Sequence, residues 1–280
     1  VIALVRTEFT KAAVRTRTLV IGLVLVGIPS LILFAINARA SRAGPGQEEG
    51  EGLFRLAHLS GLLVPAPVLS VTSAFFLVVV AGTIAGDSVA GDAAWGNLRY
   101  LLMRPVPRGR LLVAKAAVAA ALIWASTILV ALAALLGGLL LFGAHPVTFP
   151  GTGPLPFVHG FRLGAGALLF RTAVATGYVA LGLTALLALG MLFSTLTDNA
   201  TSAIAATVGV YIVSEILDGV TQLGQVRYAF PTHYLDAWRD MFLANRYPTD
   251  MVVGLVVQAA YLVVFGTAAV LWFRRKDIRS

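Results

Sequence analysis

Residues 86–115 read GDSVAGDAAWGNLRYLLMRPVPRGRLLVAK. This polar stretch separates two apolar runs and carries a dense basic cluster: Arg99, Arg104, Arg108, Arg110 and Lys115. Inside it Trp95, Leu98, Leu101 and Leu102 recur at helical spacing, and Asp92 stands where an N-cap residue would stand. Pro105 and Pro107 stop that short helix, and Pro107-Arg-Gly-Arg leads into the next apolar run. The pattern predicts a loop over 86–110 that holds a short amphipathic helix between two membrane spans, a surface for pressing against another protein.

The composition of the remaining chain fits spans on either side. Of 280 residues, 58% are hydrophobic and 12% charged, with no cysteine, and the mean hydropathy is +0.87. A soluble domain carries about 25% charged residues, so this chain cannot clothe a water-facing surface. It reads as an all-α integral membrane protein in a single transmembrane domain over 1–280. The net charge of +8 would point to nucleic acid in a soluble chain. Here it sets topology and meets anionic lipid, so no nucleic-acid partner is expected. Without cysteine there is no disulfide, thiolate or Cys-ligated metal.

Outward from the loop, six spans are predicted, over 19–36, 62–84, 111–142, 172–193, 200–216 and 251–273. Before the first, residues 2–17 place Ile2, Val5, Phe9, Ala12 and Ala13 opposite Arg6, Lys11, Arg15 and Arg17, an amphipathic helix lying at the membrane surface. The first run is too long for the h-region of a signal peptide, so it reads as a retained span in spite of the small-x-small pattern at Ala38-Arg-Ala40. The third exceeds the ~20 residues a bilayer requires, so it tilts or projects. Before the sixth, Tyr234, Leu235, Trp238, Met241 and Phe242 share a face, which predicts a helix in the outer interface with an aromatic belt. Gly82 and Gly86, like Gly160 and Gly164, have the small-x-x-x-small spacing that permits close helix approach.

Basic residues fix the orientation. With both termini cytoplasmic, the inner segments hold Arg6, Lys11, Arg15 and Arg17, the five of the loop, and Arg274, Arg275, Lys276 and Arg279. The outer segments share Arg39, Arg42, Arg55, Arg162, Arg171, Arg227, Arg239 and Arg246 over longer loops.

Asp92-x-x-x-Gly96-Asn97-Leu98, then Leu101-Leu102-x-Arg104-Pro105-Val106-x-Arg108, then Lys115, resembles the first cytoplasmic loop of ABC-2 type transporter permeases. The family pattern runs acidic-x-x-x-Gly-Thr-Leu, Leu-Leu, Pro-Val-Ser-Arg, Lys; Asn97 and Pro107 depart from it. The resemblance implies a permease subunit in a bacterial plasma membrane that pairs with a second copy or a paralogue. A separate ATPase would bind ATP and Mg and dock on a coupling helix carrying Asp92, Trp95, Gly96, Asn97, Leu98, Arg99, Leu101, Leu102 and Arg104. It further implies a substrate path along the second and fifth spans, with Thr72, Ser73, Thr207, Tyr211 and Ser214 as candidates. Hydroxyls in spans also bond their own helix carbonyls, which is the other reading of the threonines and serines.

No Gly-x-x-x-x-Gly-Lys-Ser/Thr occurs, and Lys11, Lys115 and Lys276 are the only lysines, so the chain has no P-loop. His58, His145, His159 and His233 are scattered, so no metal and no catalytic residue are assigned. The spans are almost free of charge, which argues against a proton-driven transporter or an intramembrane enzyme. Arg171 and Glu215 fall near outer span ends, as rim residues. The expected function is ATP-driven export of a hydrophobic or amphipathic substrate. Two other classes remain: a scaffold or assembly factor without transport, and a lipid-modifying enzyme with a site near Glu215, Asp218 or His233.

Overall fold

A computed structural model describes residues 2–14, 16–40, 53–57, 59–94, 107–149, 161–243 and 249–276. Six helices are long and apolar enough to cross a membrane. These are α2 (Thr16–Ala40), α4 (Pro65–Ala94), α5 (Arg108–Phe142), α6 (Ala165–Leu196), α7 (Ala200–Gly219) and α8 (Thr249–Arg275). Helix α1 (Ile2–Ala13) precedes them, and α3 (Leu53–Ala57) is a short turn before α4. An antiparallel ribbon of β1 (Val147–Phe149) and β2 (Phe161–Leu163) joins α5 to α6. The fold is an all-α membrane bundle with this one ribbon among the described residues.

Helices α4 and α6 form the centre. In their most apolar windows 61% and 67% of residues are buried within the chain, against 17–33% in the other four spans. Lipid is as apolar as leucine, so the helices associate through close backbone approach rather than through apolar burial. Gly82 and Gly86 do this on α4: a Cβ at Gly82 would lie 2.8 Å from Val208 Cγ2, and one at Gly86 2.7 Å from Ile204 N. The predicted small-residue seam is therefore the α4–α7 contact. Ser194 joins α4 to α6: its Oγ donates to Gly86 O (2.7 Å) and accepts from Val89 N and Ala90 N (3.1 and 2.9 Å). The large apolar side chains of α2, Leu19, Leu23, Leu31 and Phe34 among them, face outward as lipid-facing residues do.

The helices outrun the apolar segments from which they were expected. Helix α4 begins at Pro65 rather than at 62, because proline suits the first helical turn, and it continues past Ile84 through Ala94. Within it, Thr72–Phe76 is a π turn. Thr72 Oγ1 donates to Val68 O (2.8 Å), Ser70 Oγ to Pro67 O (2.8 Å) and Ser73 Oγ to Ser70 O (3.4 Å). Three hydroxyls thus compete for the carbonyls of one turn. Helix α5 ends at Gly143, whose φ of 69° supplies the left-handed stop.

The segment before α8 departs furthest from expectation. In place of one interfacial helix there are 3-10 helices over Thr221–Ala229 and Ala237–Arg239 and a short α-helix over Asp240–Leu243. Gly224, at φ 53°, and Pro231 break the run. The face of Tyr234, Leu235, Trp238, Met241 and Phe242 is buried inside the protein. Tyr178 Oη donates to Tyr234 O (2.6 Å) and the Arg171 guanidinium to Met241 O. Arg171 is therefore a buried anchor of this segment, whereas the sequence placed it at the rim.

Candidate functional site

The loop helix was expected to begin at Asp92, but α4 carries Asp92 inside its last turn. There the carboxylate is 2% exposed, and two lysines hold it. Lys115 Nζ of α5 lies 2.5 Å from Asp92 Oδ2, and Lys11 Nζ of α1 lies 2.6 Å from Asp92 Oδ1. Lys115, itself 5% exposed, also meets Glu8 Oε2 of α1 at 2.9 Å. Two carboxylates and two ammonium groups alternate, so the buried charges compensate one another as burial requires. One turn earlier, Arg17 Nη1 lies 3.3 Å from Asp87 Oδ2, and Arg17 Nη2 donates to Thr83 O (2.8 Å). The surface helix thus spends much of its charged face on the protein. These ion pairs tie the last turns of α4 and the first turns of α5 to α1 and the start of α2.

Trp95, Gly96, Asn97, Leu98, Arg99, Leu101, Leu102 and Arg104 lie outside the described residues. What the structure gives is their mounting. A helix stands at each end, Asp92 lies three positions before Trp95, and Lys115 of the following helix meets Asp92. Lys276 Nζ lies 2.6 Å from Asp198 in the α6–α7 turn, and Arg108 Nη1 donates to Lys276 O (2.8 Å). The contacts of Lys11 with Asp92 and of Lys276 with Asp198 place both ends of the described chain and both of these connections on one face.

Of the candidates for a path, Thr72, Ser73 and Thr207 are fully buried between helices, and their hydroxyls bond carbonyls of their own helix; Thr207 Oγ1 donates to Ala203 O at 2.7 Å. Tyr211 and Ser214 are brought together beside a small pocket with Leu183, Thr232, Leu235 and Tyr261. Ser214 Oγ and Thr232 Oγ1 are 2.8 Å apart. At the same end His233 Nδ1 meets Asp218 Oδ1 at 2.6 Å, with Arg227 Nε 3.6 Å from the same oxygen. Asp236, 2.9 Å from Arg239, has its carboxyl pushed above the usual range by burial, against the pull of that arginine. Among the described residues no group of three or more His, Asp or Glu could hold a metal ion.

A chain of six apolar helices, with buried ion pairs joining the flanks of one connection, has the form of a membrane-embedded component. A model of the ABC-2 family of transporter proteins matches residues 2–278. The chain belongs to that family. A search of the curated proteins found no match.

As an ABC-2 transporter protein, the chain is a transmembrane component of a transporter. Reading the ABC-2 loop from sequence found its apolar and basic residues but missed the partners of its flanks. Glu8 and Asp87 passed unremarked, because the residues they meet are far away in the sequence: Lys115 is 107 positions from Glu8. A signal was present all the same. Two carboxylates among so few charges beside apolar runs require compensation, and the nearby lysines are scarce.

Proposed function

We propose that this chain is the permease subunit of an ATP-driven transporter, exporting a hydrophobic or amphipathic substrate across a bacterial plasma membrane. Both termini lie on the cytoplasmic side. A separate ATPase docks on residues 95–106 and supplies the ATP and Mg site. Trp95, Leu98, Leu101 and Leu102 are its apolar anchors, Arg99 and Arg104 its charged contacts, and Gly96 and Asn97 shape the helix between them. Asp92 tethers the loop from behind. The observation that carries this reading is the Glu8–Lys115–Asp92–Lys11 network. It joins both flanks of the loop to α1, so a push on the loop moves α4 and α5 as one body. A second permease copy or a paralogue covers the apolar outer face of α7, where Val213 and Ile216 are exposed. Tyr211 and Ser214 border the path, and Thr72, Ser73 and Thr207 keep the helices along it in register.

The deciding experiment is purification of the detergent-solubilised protein from its native host, with an ATPase assay of what accompanies it. A stoichiometric P-loop partner that is lost on Trp95→Asp and Leu98→Asp is the expected outcome. A functional preparation free of any ATPase overturns the reading and favours a scaffold.

One observation favours a second reading. Asp218 and His233, 15 positions apart, form a 2.6 Å pair, an arrangement able to relay a proton for a lipid-modifying reaction. Loss of a lipid-modifying activity on His233→Ala or Glu215→Gln, with ATPase binding unaffected, would establish it. Unchanged lipid composition in those variants removes it.

A further inference from the structure

Helices α5, α6 and α8 enclose an apolar groove of about 500 Å³ in the half of the bundle next to Arg108 and Arg275. Leu112, Ala116, Ala188, Met191, Gly266 and Leu271 are among its walls. Its two hydroxyls are satisfied elsewhere: Thr184 Oγ1 bonds Ala180 O and accepts from Trp124 Nε1, and Thr267 Oγ1 donates to Val263 O. The interior is therefore purely apolar. From Leu112 to Ala120 the wall runs about 12 Å along α5, most of the depth of one leaflet of a bilayer whose core is ~30 Å thick.

The rim has the opposite character. The guanidinium of Arg274 lies over the start of α5, where a Cβ at Gly109 would sit 3.1 Å from its Nε and Nη2. Arg110, Arg274 and Arg275 are exposed, and none makes an ion pair among the described residues. Among the described residues Asp198 at this face pairs with Lys276. An apolar slot most of one leaflet deep, at the level of three exposed guanidinium groups, is complementary to an acyl chain with an anionic headgroup.

We infer that this groove holds an acyl chain of an anionic phospholipid from the cytoplasmic leaflet, with its phosphate against Arg110, Arg274 and Arg275. The leaflet assignment rests on the proposed orientation of the chain, and the lipid site itself does not. The groove shares no lining residue with the pocket at Tyr211 and Ser214, so on the proposed path the lipid in the groove is a bound structural ligand and not cargo in transit. Guanidinium groups favour phosphate oxygens through charge-assisted, forked hydrogen bonds, and basic residues beside spans attract anionic headgroups.

The test is native mass spectrometry of the purified full chain, with phosphatidylglycerol or phosphatidylcholine added at equal concentration. Wild type should retain phosphatidylglycerol at least several-fold better. Gly266→Phe should lose both lipids. A Cβ at Gly266 meets nothing within 4 Å, so the ring grows into the groove; Ala120→Leu is the second filling variant should the phenylalanine impair folding. Arg274→Gln with Arg275→Gln should keep binding but abolish the preference. Equal retention of the two lipids by wild type, or unchanged adducts in both filling variants, overturns the site. So does loss of a second copy or of a protein partner, with lipid retained, in the filling variants, because a helix would then own the groove. Orientation is read separately. The chain has no cysteine, so Arg275→Cys alone reports exposure to a membrane-impermeant maleimide on intact cells. Protection fits the cytoplasmic leaflet, and labelling moves the site to the other leaflet and overturns the proposed topology.

Discussion

Lys115 Nζ lies 2.5 Å from Asp92 Oδ2, so one buried ion pair closes the gap between the end of the second span and the beginning of the third. Stranding one member of a buried pair costs about 3–5 kcal/mol; Lys115 keeps Glu8 Oε2 at 2.9 Å, so Asp92→Asn should cost less than that full amount. It should still lower the thermal unfolding midpoint of the detergent-purified protein measurably. Lys11→Gln should lower it little, by about 1 kcal/mol or less, since the side chain of Lys11 is 38% exposed. Equal effects would show that the Lys11 contact, and not that of Lys115, carries the energy of the site.

Gly86 sits where the backbone of α7 passes α4. Gly86→Val forces a branched side chain against Ile204 and should cost about 1–3 kcal/mol or more. Gly177→Ala, where a Cβ meets nothing within 4 Å, should stabilise by up to ~1 kcal/mol through helix propensity. Thermal shift measurements of the two side by side check the α4–α7 contact.

Tyr178 donates to Tyr234 O across a buried gap of 2.6 Å. In Tyr178→Phe that carbonyl loses its partner, a loss of about 1–3 kcal/mol confined to the segment before α8. Limited proteolysis should then cut within 221–243 faster than in wild type, while the spans stay intact. Unchanged cleavage would mean that the other contacts of the segment, those of Arg171, Ser214 and Asp218 among them, hold it without Tyr178.

Ser194 inserts its hydroxyl into the backbone of α4. Ser194→Ala removes one donor and one acceptor at the α4–α6 contact and should destabilise by about 1–2 kcal/mol. Ser194→Cys, close in size but a poor hydrogen-bonder, should resemble alanine rather than wild type in the same assay.

The spans were legible because apolar runs of this length have one use in a chain with so few charges. The close contact at Gly82 and Gly86 was legible as a spacing, although not its partner helix. The segment before α8 shows where reading fails. The pattern of Tyr234, Trp238 and Phe242 says that one face leaves water, and it cannot say whether lipid or protein receives that face. The ionic network failed for another reason. A periodicity argument sees neighbours along one helix, and Glu8, Asp92 and Lys115 belong to three. The residues expected to dock an ATPase were found by resemblance, with their chemistry read beside it.

The π turn at Thr72–Phe76 bears on that network from the opposite end of the same helix. Pro65, Leu69, Ser73, Leu77, Ala81, Ala85 and Val89 are all buried, a row of every fourth residue. In an uninterrupted α-helix such a row winds round the axis by about 40° per step. The wider turn absorbs part of that winding. Deleting one residue from it would rotate everything beyond by about 100°, carrying Asp92 away from Lys115 without altering a single charged side chain. The aim of the carboxylate at one membrane face is thus set by a length, counted out near the other.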